Sequence, residues 1–276
     1  MDVDHSSFRD EVRGPGLPHL ARAALLFARE IAYPDLRPSA YLARLDEWAQ
    51  AIRAQCAPEL PLASQLDSLR RFLFDELGLR GNREDYGDPR NSYLNEVMTR
   101  GLGLPISLSV IFLEVAGRLG LPAEGVGLPG HFVVAVRLPD ERRLLDPFNG
   151  GALLTDEAAA RLVEETTGLA GPLRADWLAP TSPQAIVTRM LLNLRGVYVQ
   201  RESWAEALAV VERLAILQPD AAEHLRDQGL LHFRSGSRRQ AAGFLEQYLR
   251  RRPAADDADL VRRSLAALLD ETARLN

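Results

Sequence analysis

Apolar residues recur every three or four positions through the first eighty residues of the chain. Leu20, Ala24, Leu25, Ala28 and Ile31 form one such stripe, and Pro34 ends it. Ser39 then stands as an N-cap ahead of Tyr41, Leu42, Leu45, Trp48 and Ile52. A third stripe, Leu66, Leu69, Phe72, Leu73 and Leu77, runs over 62–77 and stops at Gly78. This spacing puts the apolar side chains on one face of each helix, so three helices forming a packed base are expected. A polar, glycine-punctuated loop follows over 81–92. After it come a short helix over 93–100 and a strongly apolar helix over 107–119, closed by Gly120 and Pro122. The pattern then changes to strands at 125–128, 131–136 and 143–146, with a turn at Leu138-Pro139-Asp140-Glu141 between the last two. A buried helix leading into an antiparallel sheet is an α+β arrangement.

From Pro183 the chain reads as helix again, with an internal period. Leu191 and Leu225, Tyr198 and His232, Ala207 and Ala241, and Pro219 and Pro253 are each 34 residues apart. A 34-residue unit with small residues at the crossing and a closing proline resembles the tetratricopeptide repeat. Gly229 fits the glycine expected in the second unit. In the first, Arg195 holds that place and Gly196 comes one residue late. Two units and a capping helix over 259–275 fall short of the three repeats that a free-standing solenoid needs, so this region is expected to lean on the core. Packing alone and a groove for a protein partner both remain open for it.

Composition narrows the functional classes. The chain has 276 residues, 46% of them hydrophobic and 26% charged, with a formal net charge of −5. Those proportions describe a globular protein and argue against disorder. A mildly acidic chain also lacks the basic surface that sequence-independent nucleic-acid binding requires. The one cysteine, Cys56, excludes an intrachain disulfide framework and a thiolate metal cage. All 33 basic residues are arginine, which removes Schiff-base chemistry and the P-loop lysine. His5, His19, His131, His224 and His232 show no metal-ligand spacing, and the glycines at 101–103 and 125–130 suit tight turns rather than a nucleotide site. Neither a metal nor a cofactor is expected. Residues 1–13 lack the apolar segment of a secretory signal, and no apolar run reaches membrane-spanning length, so a cytoplasmic protein with no membrane partner is expected.

Candidate chemistry centres on His131, which opens the central strand, and Asp146, which ends the next. A hairpin turning near 139–141 brings them close across the ladder, within reach of a hydrogen bond from His131 Nδ1 to the carboxylate. Such a carboxylate orients an imidazole and stabilises its charged form, as a nucleophile's partner base requires. Asn91 and Asn95 are four residues apart and share a helical face. They suit either the orientation of a ligand carbonyl or an oxyanion, or capping and loop ordering. Arg90 suits bidentate binding of a carboxylate, or an ion pair with Asp88 or Glu96.

Several phrases carry a resemblance. The apolar helix ends in Arg118-Leu119-Gly120-Leu121-Pro122-Ala123, and strands with His131-Phe132-Val133-Val134 and Leu144-Leu145-Asp146-Pro147 follow. This order resembles the core of the transglutaminase-like superfamily, in which a cysteine at the helix start, a histidine and an aspartate form a triad. Asp88-Pro89-Arg90-Asn91-Ser92-Tyr93-Leu94-Asn95, Leu104-Pro105-Ile106-Ser107-Leu108-Ser109 and Pro129-Gly130-His131-Phe132 are more specific. They resemble the bacterial SirB-type branch, which joins this core to a C-terminal tetratricopeptide pair, and the same core is found in some eukaryotic F-box proteins. The resemblance matches His131 and Asp146 to the triad's histidine and aspartate. It places the missing nucleophile at Pro105, which has none, while Cys56 lies in the N-terminal helices. Ser109 shares a helical face with position 105, and Ser107 suits an N-cap. An unactivated serine is a far weaker nucleophile than a thiolate, so thioester-based crosslinking is not expected.

The resulting expectation is an α+β, helix-rich transglutaminase-like (papain-like) core with a small antiparallel sheet, followed by an all-α tetratricopeptide-like region. The divisions fall at 1–80 for the N-terminal helical layer, 81–182 for the core and 183–276 for the repeats. The first functional expectation is a cysteine-free binding or regulatory module whose cleft takes a peptide or small polar ligand. The others are a hydrolase or acyltransferase using Ser109 or Ser107 with His131 and Asp146, and an adaptor working through the repeats.

Overall fold

The computed structural model describes residues 6–14 and 19–275, with side chains of the last helix described to residue 269; His5 and the first residues of the N-terminal stretch lie outside the described residues. Helices α1 (Phe8–Arg13), α2 (Leu20–Ile31), α3 (Pro38–Gln55) and α4 (Leu62–Arg70) form the N-terminal layer. Pro38 occupies the first turn of α3, where its missing N–H costs nothing, so the helix starts one residue before Ser39. The third stripe departs from its expected course. After Arg70 the backbone widens into a π-helical turn, Arg71–Glu76; Leu73 is buried as expected, but Phe74 is buried as well, while Phe72 and Leu77 are only half-buried. A π turn shifts the phase of the inward face, and it delivers Phe74 to stack on Phe112 with ring centroids 6.3 Å apart.

Strands β1 (Arg80–Gly81) and β2 (Leu102–Gly103) pair in parallel and bracket the polar loop, a 3-10 turn at Pro89–Asn91 and helix α5 (Leu94–Arg100). Helix α6 (Pro105–Leu119) runs through the centre, with Pro105 at its first position and Gly120 left-handed after its end. A four-stranded antiparallel sheet follows, in the order β3 (Ala123–Val126), β4 (Val133–Arg137), β5 (Arg142–Asp146) and β6 (Ala152–Leu154). The sequence pattern had not revealed β6. Val133, Val134, Ala135 and Val136 are all fully buried because β4 is covered on both faces. Val134, Val136 and Leu145 join the main core with α6, while Val133, Ala135 and Leu144 pack against Ala159 and Val163 of α7 (Asp156–Thr167).

Helices α8 (Pro183–Gln200), α9 (Trp204–Leu217), α10 (Glu223–Arg234), α11 (Arg238–Arg251) and α12 (Ala258–Leu275) complete the chain. Both ends of α9 recur 34 residues later in α11. The first helix pair shares the main apolar core through Ile186, Leu191, Leu194, Val210 and Leu214. The second pair and α12 have a small cluster of their own, built on Ala222, Leu245, Tyr248 and Val261. A buried bond between the Tyr93 and Tyr198 hydroxyls, 2.7 Å long, fastens α8 to the residue ahead of α5. No helix among the described residues is long and apolar enough to cross a membrane.

Candidate functional site

His131 owes its place to the turn before it. Pro129 and Gly130 occupy the two central positions, Gly130 has φ +69°, and the His131 N–H closes the turn on the Leu128 carbonyl at 3.1 Å. Proline presets the first central position of a type II turn and glycine supplies the positive φ of the second. A Cβ on Gly130 would fall 2.5 Å from Thr166 Oγ1, so the turn is also a close approach to α7. His131 therefore precedes β4 rather than opening it. The ladder pairs Val134 with Leu145. Continuing that register sets Asp146 across from Val133 and diagonal to His131, a separation that a long side chain spans.

The two side chains meet. His131 Nε2 lies 3.0 Å from Asp146 Oδ1, and both residues are buried. The sequence-based expectation had assigned Nδ1 to this bond; the ring instead presents Nε2 to the carboxylate, and Nδ1 has no hydrogen bond among the described residues. Asp146 Oδ1 also accepts the Phe148 and Asn149 N–H groups at 3.0 and 3.3 Å, and Oδ2 accepts Asn149 Nδ2 at 2.6 Å. The carboxylate oxygens act as acceptors in all four contacts, so Nε2 is the donor in its bond to Asp146. The carboxylate thereby caps the 3-10 turn Pro147–Asn149. Phe148 from that turn meets the imidazole edge to face, with centroids 5.9 Å apart.

Neither serine reaches this pair. Ser109 Oγ is fully buried and donates to the Pro105 carbonyl of its own helix at 2.8 Å. Ser107, also fully buried, donates to the Asn91 carbonyl at 2.7 Å and accepts the Leu104 N–H at 2.9 Å. It stands at the third helical position and reaches back to the residue before the helix, which replaces the N-cap role expected for it. The helix starts two residues earlier than expected because Pro105 is at home in its first turn. Cys56, buried at the end of α3, is no part of the site.

The polar loop is ordered from within. Asn91, fully buried, donates to the Asp85 carbonyl at 2.7 Å and accepts Asn82 Nδ2 at 3.0 Å. Asn95 is buried on α5, and its Oδ1 has no partner. Tyr93, rather than Asn91 or Ser92, takes the position before α5. Arg90 is engaged by Asp88, with Nε 2.9 Å from Oδ2 and Nη2 at 2.7 Å, so it is not a free carboxylate clamp. Burial raises the Asp88 pKa, but hydrogen bonds from Arg90 and the charges of Arg90 and Arg100 outweigh it and hold the group below the usual carboxylate value.

Beside the pair lies a cleft of about 440 Å³ lined by Arg80, Gly81, Asn82, Arg83, Phe148 and Asn149 among others. Phe148 and Asn149 thus belong both to the cleft and to the first contacts of His131 and Asp146. A Cβ on Gly81 would fall 2.4 Å from the Phe148 ring, which explains the bare backbone there. Arg83 stacks over Phe148 at 5.6 Å and donates to Asn149 Oδ1, and Tyr86 flanks the same ring at 6.0 Å. Asp146-Pro147 carried a readable signal for this turn, an Asx cap followed by proline. Nothing local pointed to Arg80 or Arg83, since long-range packing alone brings them beside Phe148 and Asn149. Among the described residues, no group of three or more His, Cys, Asp and Glu is placed to hold a metal ion.

Comparison with known proteins agrees with this architecture. Residues 39–192 match the family described as transglutaminase-like superfamily, and residues 194–266 match the tetratricopeptide repeat. A UPF0162 protein of Xylella fastidiosa is 38% identical over 255 residues, covering 91% of this chain and 90% of that one. A UPF0162 protein of Pseudomonas aeruginosa is 33% identical over 217 residues, 77% of each chain. F-box only protein 21 of Mus musculus is 42% identical over 92 residues, 33% of this chain and 15% of that one.

Proposed function

The chain belongs to the transglutaminase-like superfamily, and on that premise we propose that it is a binding module of the family, without the nucleophile, whose cleft beside His131 and Asp146 takes a peptide or small polar ligand. One observation carries this reading. The histidine–aspartate pair is intact, yet both nearby serine hydroxyls are buried and spent on backbone carbonyls, and the only cysteine lies in another layer. Without a nucleophile beside its ring, the imidazole has a positional role: it joins the turn at 129–131 to the turn at 147–149, and that second turn forms a wall of the cleft. Arg80, Arg83 and Asn149 supply donors for ligand carbonyls.

A serine-dependent hydrolase would need Ser107 or Ser109 to leave its carbonyl and turn toward Nδ1. Treating the protein and its His131→Ala variant with a serine-reactive fluorophosphonate, followed by mass spectrometry, tests this directly. No adduct on either serine is expected. An adduct on Ser107 or Ser109 that disappears in the variant would replace the binding reading with a catalytic one.

A role for the repeats in contacting a protein partner is supported by a separate observation. Leu192 and Val199 of α8 and Leu230 and Phe233 of α10 are exposed apolar residues on the first helices of the two units. In this reading the cleft and the repeats are two surfaces of one interaction protein.

A further inference from the structure

The cleft beside His131 and Asp146 holds two arginines that the fold leaves without a counter-charge. Arg80 and Arg83 are exposed and line it, and neither forms an ion pair with a described residue. Arg90, further along the same loop, and Arg100 are both paired with Asp88, so the missing partner is particular to the cleft. Glu84 is the one acidic residue of the lining, and it makes no ion pair with either guanidinium. Arg83 is also held in place. Its guanidinium stacks over the Phe148 ring at 5.6 Å, and its Nη2 donates to Asn149 Oδ1, both residues of the cleft wall. Its Nη1 and Nε make no hydrogen bond to a described residue, so an ordered guanidinium keeps donors for a ligand.

A second observation is independent of charge. Arg80 and Asn82 donate their N–H groups to the Gly101 and Gly103 carbonyls at 2.8 and 3.1 Å. Strand backbone alternates, so the N–H and C=O of Gly81 between them point to the opposite edge, where no described strand pairs with β1. Neither group bonds to a described residue. Gly81 is half-buried and lines the cleft, so this free edge borders the ligand space. A strand edge of this kind takes an extended peptide, whose residue opposite Gly81 exchanges both main-chain bonds with it. Side chains opposite one another share a face of the ladder. The face on which a Gly81 side chain would stand holds the Phe148 ring, with Arg83 stacked over it. Arg80, one residue along, belongs to the other face.

We infer that the cleft binds an extended peptide segment with adjacent acidic residues, an inference that rests on the reading of this cleft as a binding site. The residue paired with Gly81 sends its carboxylate along the Phe148 ring to Arg83, and its neighbour sends a second carboxylate to Arg80. Charge-assisted bonds to two guanidinium groups select the acids over their amides. The main-chain pair at Gly81 selects a peptide strand over a free dicarboxylate. In a chain of net charge −5, two unpaired cations in one cleft also set it apart electrostatically from the surface around it.

The test is an NMR titration of the full chain, following the Gly81 amide and the Arg83 Nε–H, with an acetylated and amidated hexapeptide that has Val-Glu-Asp-Val at its centre. Its controls are the same peptide with Val-Gln-Asn-Val, the acidic peptide N-methylated at both acidic residues, and glutarate. The acidic peptide is expected to bind saturably, to shift the Gly81 amide and to slow its exchange with solvent. The neutral peptide should bind about tenfold more weakly, and N-methylation should cost about threefold or more. Arg80→Gln and Arg83→Gln, both at exposed side chains, should each reduce the preference for the acidic peptide over the neutral one by about threefold. Equal binding of the acidic and neutral peptides at Gly81 would overturn the acidic assignment and leave the cleft a peptide site. Glutarate binding as tightly as the acidic peptide would overturn the strand. No shift at Gly81 with any of the four ligands would overturn both this inference and the binding reading beneath it.

Discussion

At the scale of single residues, Asp146 and Ser109 contrast in what they hold. Asp146 takes four donors from three residues in a site closed to water, so removing its carboxylate leaves the Phe148 and Asn149 N–H groups and His131 Nε2 without an acceptor. An unsatisfied buried donor costs about 1–3 kcal/mol. Ser109 holds only the carbonyl at the start of its own helix, a group the helix already satisfies. Asp146→Ala should therefore lower stability to urea by about 3 kcal/mol or more, and Ser109→Ala by less than about 1 kcal/mol. Equal losses in denaturant titrations would place Ser109 in the same network as the pair. The pairing of His131 with Asp146 was legible in the sequence because both flank a hairpin of readable register. The choice of ring nitrogen was not, since it depends on a turn that sets His131 two residues ahead of the strand.

At the scale of elements, the polar loop over 81–92 is the piece that shapes the cleft, and its order depends on charge. Asp88 caps the turn Pro89–Asn91 by accepting the Arg90 N–H at 2.9 Å and also pairs with Arg90 and Arg100. Its carboxyl is held below the ordinary value of 3.8 in the folded chain. A group with a depressed folded pKa stabilises the fold above its unfolded pKa, and that contribution is lost as pH falls through the folded one. Asp88→Asn should thus destabilise the protein between pH 5 and 7, and the gap to wild type should close below about pH 4. A gap that stays constant down to pH 3 would mean that the ion pairs contribute nothing. The loop was readable in outline, by its glycines and by Asp88-Pro89. Its internal wiring was not: Asn91 reads equally well as a helix cap or a ligand contact, and only the fold turns its amide back onto 82–86. The π turn at 71–76 escaped for a related reason, because a one-residue phase shift within an apolar stripe leaves the overall pattern helical.

At the scale of the whole molecule, the 34-residue period was visible in residue spacing, and the need for support followed from having only two units. Which unit takes that support became apparent only in three dimensions. Leu194 of α8 is fully buried in the same cluster as α6 and the N-terminal helices, whereas Leu245 of α11 sits in the small cluster of the second unit. Leu→Ala substitutions at buried positions cost about 2–5 kcal/mol whichever cluster they fall in. The consequences should nevertheless differ in reach. Leu194→Ala removes packing shared by the core and the first repeat, so hydrogen exchange should accelerate from α2 through α9 together, at the level of global unfolding. Leu245→Ala should accelerate exchange only in α10, α11 and α12, by local opening, and leave the amides of β4 and α6 at their wild-type rates. If Leu245→Ala instead quickens exchange in β4 to the same extent, the second unit is part of one cooperative body. The repeats would then be a buttress of the site at His131 rather than an arm free to engage a partner by itself.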